Sequence, residues 1–377
     1  MSGRGGLTAL AVAVVLGVVV AAIALNRSGG SRPNGSGLKT VADLAGRNVT
    51  VPERVERLVA LGPGALRLVV YLRAADRVVG MEDFERRNAR DVYVRPYAGA
   101  LGAEFLKLPV VGPGGPGALP DPEKLLMCRP DLIVAAGVDP AQLENIQAKC
   151  GAPAVYLSYG ELGVWRDEAR RSLSLLGELL GAGERAAALN AYVDSLERDL
   201  RKRTGGVPAE KKPSAYFGGI SYKGAHGIES TQGDYPPGRM AGARNLAGSL
   251  GRTGHFFVDR EQILVWNPEF VFVDAGSRSV LDRDFEKNRA FYRLLGAARS
   301  GKTFSLLPYN YYNTNIELAL INAYFVGKTL YPAGFEDLIV KEKAGEILET
   351  FLGARHAEKM PACRRLFFPE TGPVKWE

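Results

Sequence analysis

From Lys39 the sequence alternates short apolar runs with helical patterns, and between Trp165 and Thr204 the alternation stops. That interruption constrains the fold more than any motif. The first block carries strand-like runs in "RLVAL" (57–61), "RVVGM" (77–81), "LPVVG", "DLIVAAG" and "PAVYLS". Between them lie "GALRLVVYL", "DPEKLLMCRP" and "PAQLENIQAKCG", which read as helices. Strands that alternate with helices build a parallel sheet covered on both faces. In "DPEKLLMCRP" Asp121 is the N-cap candidate, Pro122 takes the first helical position and Glu123 lies in the first turn. The strand-free stretch reads as two helices meeting at "GAG". The second, from about Glu184 to Arg203, carries a stripe at Ala188, Tyr192, Leu196 and Leu200 and spans roughly 30 Å.

A second α/β block follows "GGVPAEKKP". "SAYFGGI", "EFVFVDAG" and "KTFSLLP" read as strands. "MAGARNLAG", "EQILVWNP", "NRAFYRLLGAARSG", "NTNIELALINAYFVGKTLYP" and "KEKAGEILETFLG" read as helices, with Thr314 or Asn313 capping the fourth. "HGIESTQGDYPPG" and "YNYYN" read as loops. The predicted fold class is therefore α/β: two Rossmann-like lobes with central parallel sheets, joined by a long linking helix, with a ligand cleft between them. The expected divisions are 1–27 (export signal or membrane anchor), 28–38 (Gly/Ser-rich linker), 39–164 (first lobe), 165–204 (linking helices), 205–353 (second lobe) and 354–377 (tail).

Several functions are disfavoured on chemical grounds. "GAARSGKT" matches the phosphate-binding P-loop pattern, but a helical segment precedes it and a strand follows. A phosphate cradle needs strand, loop, then helix, so ATP binding is not expected there, and Gly301 reads as a turn glycine. The net charge of +7 is spread over mixed helical faces such as "ERDLRKR", which argues against nucleic acid. The three histidines, His226, His255 and His356, form no paired motif, and no C-x-x-C occurs. No G-x-S-x-G occurs either, so no enzyme is expected. Arg4 precedes an apolar run, Leu7 to Leu25, followed by "NRSGGSRPNGSG". This is the layout of an export signal, with Ala22-Ile23-Ala24 as a cleavage site, and the run also has the length of an uncleaved anchor. Either places the body in the periplasm or otherwise outside the cytosol. In such a compartment Cys128 and Cys150 can form a disulfide, or all three cysteines, Cys363 included, can be buried thiols.

"TVADLAGRNVTVPERVERLVALGPG", "PDPEKLLMCRPDLIVAAG", "VDREQILVWNPEFVFVD" and "FYRLLGAARSGKTFSLLPYN" resemble stretches of the ABC-transporter substrate-binding proteins of the iron-siderophore, haem and cobalamin type. "VRPYAGA" and "HGIESTQGDYPP" are similar to a subgroup of iron-complex binders. The resemblance implies capture of a metal chelate, an iron complex first, and its delivery to an ABC permease. It also implies docking glutamates, Glu123 and Glu261 by position. Relatives often carry a Glu where this chain has Arg67, which reverses a charge. No cofactor, no nucleic-acid partner and a monomer are expected. Two alternatives remain: a membrane-anchored ligand sensor or scaffold, and an exported chelate-modifying enzyme on the same scaffold.

A cleft for a rigid metal complex wants ring faces, hydrogen-bond donors and a cation. The candidates are Arg95, Tyr97, Tyr159, His226, Glu229, Tyr235, Tyr311, Asn313 and Asn315, with Tyr309 and Tyr312 beside them. His255 and His356 have nothing convergent around them in the sequence. An uninterrupted linking helix offers no hinge, so small lobe movements are expected.

Overall fold

The structure is a computed structural model that describes residues 37–89, 94–160 and 167–353. The apolar run Leu7–Leu25, most of the Gly/Ser spacer, Cys363 and the 354–377 tail lie outside the described residues, as does His356. Among those described, no helix is long and apolar enough to cross a membrane.

The described residues open with a two-stranded sheet, β1 (Leu38–Ala42) and β2 (Asn48–Pro52). The first lobe then includes β3 (Leu58–Leu61), α1 (Ala65–Tyr71), β4 (Val78–Glu82), β5 (Val110–Gly112), α2 (Pro122–Cys128), β6 (Leu132–Ala136) and β7 (Ala154–Leu157), with the helix Pro140–Cys150 crossing between β6 and β7. Its five strands are parallel in the order β5-β4-β3-β6-β7. β3 and β6 are buried at every position, as central parallel strands covered on both faces must be. Two helices follow, α3 (Asp167–Leu179) and α4 (Gly183–Thr204). α4 is unbroken over 22 residues. Its buried stripe is Ala186, Leu189, Val193, Leu196 and Leu200. The predicted stripe was correct at Leu196 and Leu200, but Ala188 is exposed. Arg201, Lys202 and Arg203 in the last turn complement the helix dipole.

The second lobe contains β8 (Ser214–Gly218), β9 (Ser230–Gln232), β10 (Arg244–Asn245), β11 (His255–Phe257), α5 (Arg260–Trp266), β12 (Phe270–Asp274) and β13 (Thr303–Leu306). α6 (Ile316–Leu330) and α7 (Val340–Leu352) close the described chain. The sheet order is β11-β9-β8-β12-β13, with β10 beside β8. β8, β12 and β13 are parallel, whereas β9 and β11 add an antiparallel edge. The sequence pattern predicts a loop where β9 forms and a helix across β10. Both strands are three residues or shorter and too polar to register as apolar runs. The segments before Gly301 are the helices Arg289–Leu294 and Gly296–Arg299, and β13 follows. Gly301 has φ +67, a turn glycine as expected, and the P-loop reading fails on element order.

The largest core cluster is continuous through both lobes and the linking helices. α7 returns to the first lobe: the rings of Tyr71 and Phe351 meet edge-on at 4.9 Å. Arg185 of α4 donates to Tyr71 O at 3.1 Å and also to Thr350 O. The lobes are therefore joined by α4 and by α7 packed on α1.

Cys128 and Cys150 are free, buried thiols, so the disulfide alternative is corrected. Cys128 closes α2 and packs under Gly80 of β4, where an added Cβ would come within 2.9 Å of its Sγ. Cys150 points its Sγ toward Gln147 O and Ala152 O, both at 3.9 Å. Burial pushes both thiols up from their ordinary range, which suppresses the reactive thiolate. In a Cys363→Ser variant, a thiol reagent should therefore label neither cysteine in the folded protein and both after denaturation without reductant. Labelling of fewer than two in denaturant would reveal a disulfide.

Candidate functional site: the junction of the two lobes

In open α/β sheets ligands bind beyond the carboxyl ends of the parallel strands. Here the two sheets turn those ends toward each other. The loop after β13 reaches the loops after β3, β4 and β5: Asn313 Nδ2 donates to Pro63 O at 3.2 Å, Tyr312 OH donates to Glu82 at 2.7 Å, and Gly115 N donates to Tyr312 OH at 3.0 Å. The loops after β8 and β12 lie on the same edge, linked by His226 N donating to Ser277 Oγ at 3.0 Å.

On the first lobe, Arg95 and Tyr97 come together around a residue the sequence reading missed, Glu85. Arg95 Nη1 donates to Glu85 at 2.5 Å and Tyr97 OH donates to it at 2.8 Å. All three are buried, and Arg95 Nε has no partner among the described residues. Burial raises the Glu85 carboxyl, and the Arg95 guanidinium opposes that rise. Tyr159 is buried and its OH donates to Gly64 O at 3.0 Å. Gly64 has φ +90, and a Cβ there would meet the Tyr159 ring at 2.7 Å, so glycine is required.

On the second lobe, Tyr311, Asn313 and Asn315 share one loop that Arg67 grips. Arg67 is fully buried, so the reversed charge cannot face a partner protein. Asn315 occupies the N-cap position of α6 without capping it, and neither predicted cap, Thr314 or Asn313, makes a side-chain cap. The Asn315 side chain is instead held by Arg67 Nε at 3.1 Å and by carbonyls of Val94, Tyr309 and Tyr311. Tyr235 is buried between Phe217, stacked at 4.6 Å, and Tyr309, edge-on at 5.7 Å. Glu229 is paired with Arg260, which also binds Asp284 at 2.6 Å, so its carboxylate is engaged in that network.

His226 is brought together with residues that sequence reasoning set aside. Its ring lies 5.5 Å from His255 and edge-on to Phe257 at 5.2 Å, and Tyr222 stacks on His255 at 4.7 Å. Burial and then His226 lower the His255 imidazole, favouring its neutral form. His255 enters only because β11 pairs antiparallel with β9, a contact no local pattern signals. Among the described residues no group of three or more His, Cys, Asp or Glu side chains can hold a metal ion.

Glu123 and Glu261 are exposed in the first turns of α2 and α5. The two helices share a frame, although Asp121 caps α2 with its side chain and Asp259 does not cap α5. Each has seven residues, an Asp before it and a left-handed non-glycine after it, Arg129 or Asn267. A proline then leads into a fully buried strand, β6 or β12.

Two facing α/β sheets with a lined junction define a two-lobed binding protein. The periplasmic binding protein family model matches residues 58–309, and the chain belongs to that family, whose members serve ABC importers. The molybdate-binding protein MolA of Haemophilus influenzae is 24% identical over 334 residues, covering 83% of this chain and 90% of that one. Its molybdate-bound structure aligns with TM-score 0.65 at 20% identity, over 84% of this chain and 98% of that one. A periplasmic solute binding protein of Veillonella parvula aligns at 0.66 with 18% identity, over 84% and 94%. Helicobacter pylori CeuE with Ni(II) bound aligns at 0.61 with 17% identity, over 85% and 99%.

Glu82 provides a pH test of the junction. Burial pushes its carboxyl from about 4.5 up to about 7, against hydrogen bonds from Tyr312 OH and Gly62 N. Between those two pH values the folded protein keeps a proton that the unfolded chain releases, so stability falls as pH rises through the window. The full effect is about 3 kcal/mol. Urea unfolding at pH 5 and pH 8 should show wild type losing about that much relative to Glu82→Gln. A pH-independent gap between the two proteins would mean Glu82 ionises normally.

Proposed function

We propose that this protein captures a metal chelate, an iron complex first, at the lobe junction outside the cytosol and delivers it to the permease of an ABC importer. The observation that carries this reading is the ring wall of Tyr222, His226, His255 and Phe257 on the strand-end edge, with Phe257 53% and Tyr311 36% exposed. Ring faces suit a large rigid chelate. A bare oxyanion wants free N–H donors. Arg67 has its donors engaged by the protein, and Arg95 has all but one nitrogen so engaged.

Oxyanion capture is the second reading. It is favoured by the relative named for molybdate and by the unpartnered, buried Arg95 Nε. An enzyme is disfavoured. Ser230 Oγ lies 2.7 Å from His255 Nε2, but Ser230 is fully buried and also hydrogen-bonds Ile220 O, so it is not placed to attack a ligand.

Intrinsic fluorescence titration with ferric siderophores, haem, a corrinoid and molybdate tests the choice. Saturable quenching by one chelate class is expected. A response to molybdate alone would replace the chelate by an oxyanion, and silence across the panel would remove both.

For docking, we propose that Glu123 and Glu261 meet permease arginines. Each has an exposed apolar side chain one turn on, Met127 (81%) and Val265 (79%), giving the two lobes matching faces. Glu123→Ala and Glu261→Ala should leave ligand affinity unchanged and lower transport in the reconstituted importer, most in the double variant. Losing one partner of a desolvated ion pair costs about 2–5 kcal/mol, against about 0.3–1 kcal/mol for a helix-dipole contact alone. Normal transport by the double variant would return both residues to a purely helix-stabilising role.

A further inference from the structure

Arg67 sits in α1 of the first lobe and reaches across to the second. Nε donates to Asn315 Oδ1 at 3.1 Å, Nη1 to Thr314 O at 2.9 Å, and Nη2 to Tyr311 O at 3.1 Å and Tyr312 O at 3.0 Å. These acceptors are neutral and belong to one five-residue stretch between β13 and α6. The guanidinium also lies over the Tyr97 ring, 4.9 Å from its centre. The gripped stretch is strained: Tyr312 has φ +53 and Asn313 φ +70, consecutive non-glycine residues in the left-handed region. Such a backbone persists only where its surroundings over-determine it. Arg67 fixes its carbonyls, and Phe84 stacks on the Tyr312 ring at 3.9 Å. The Tyr311 ring remains partly exposed, 6.4 Å from Phe84.

We propose that Arg67 is a positioning residue for ligand capture: from the first lobe it locks the Tyr311–Asn315 turn of the second in its left-handed form, so that the Tyr311 ring is presented at the junction before a ligand arrives. The contact with ligand belongs to Tyr311, and this role rests on the cleft reading given above. A planar fork serves several carbonyls at once, which the compact ammonium of lysine cannot reproduce. Preorganisation of this kind favours affinity by removing the ordering cost from the binding step.

The test combines hydrogen exchange on the ligand-free protein with binding. In Arg67→Lys and Arg67→Met, amides of residues 309–315 should exchange about tenfold faster or more, while β3 and β12 keep their protection and so report an intact fold. The ligand that quenches wild type should bind Arg67→Lys about tenfold more weakly, and in a Tyr311→Ala background Arg67→Lys should have no further effect. Should Arg67→Met fail to fold, Arg67→Lys and Asn315→Ala, which removes one acceptor, carry the same comparison. Unchanged loop exchange in the folded variants overturns the lock. Additive losses in the Arg67/Tyr311 double variant overturn the route through Tyr311. If no panel ligand binds wild type, the cleft reading fails and so does the role in capture, while loop exchange still decides whether the lock exists.

Discussion

A guanidinium removed from water costs several kcal/mol unless its N–H groups find acceptors, and the junction of the two lobes is arranged around that demand. Arg67 has no exposed surface. Its acceptors on the second lobe are backbone carbonyls and one amide oxygen rather than a carboxylate. A carboxylate, Glu317, is buried close by, where Tyr71 OH donates to it. Burial raises its pKa and the Arg67 charge opposes the rise. Neutral acceptors have a structural consequence. A carboxylate partner could have come from anywhere within reach, whereas several carbonyls must be presented by a backbone of one particular shape. The left-handed pair Tyr312–Asn313 provides that shape, and its strain is the counterpart of satisfying the buried cation.

The same junction concentrates carboxyls whose proton affinity is raised by burial: Glu82, Glu85 and Glu317 there, and Asp274 at the end of β12, pushed to about 6. Asp274 accepts from Ser221 N at 3.0 Å and Gly276 N at 2.8 Å, and so fixes the start of the loop that carries His226. Strand ends, buried acids and aromatic rings are thus gathered on one edge of each sheet. The outward faces are different in character. α2 and α5 offer exposed glutamates with apolar neighbours on frames that repeat between lobes. A repeated frame places equivalent side chains at equivalent depths, which suits a partner that touches both lobes in the same way.

The buried strands were legible because parallel central strands are apolar at every position, as in "LIVAA" of β6 and "FVFVD" of β12. The α2 start was legible because an Asp-Pro-Glu run has a local mechanism: Asp121 accepts from Glu123 N and Lys124 N. α4 was legible as a long helix, although a stripe drawn through Ala188 misjudged which face is covered. Of the site candidates, the sequence named side chains but not the partners they meet in the fold. Arg95 and Tyr97 meet at Glu85, ten and twelve residues away, while His226 meets His255 through a strand pairing absent from any local pattern.

Sequence alone determined the two α/β blocks, the continuous helix between them and the family, because apolar periodicity, caps and turn glycines act over a few residues and leave their mark in order along the chain. Only the tertiary structure decided what Arg67 does. As a sequence feature it was a charge in place of a glutamate, to be read against a partner or a ligand. In the fold it lies some 245 residues from its acceptors, sealed between lobes. The physical reason is that desolvation depends on everything packed around a group. A long-range contact between a helix face and a strained turn has no signature in either segment until both are in place.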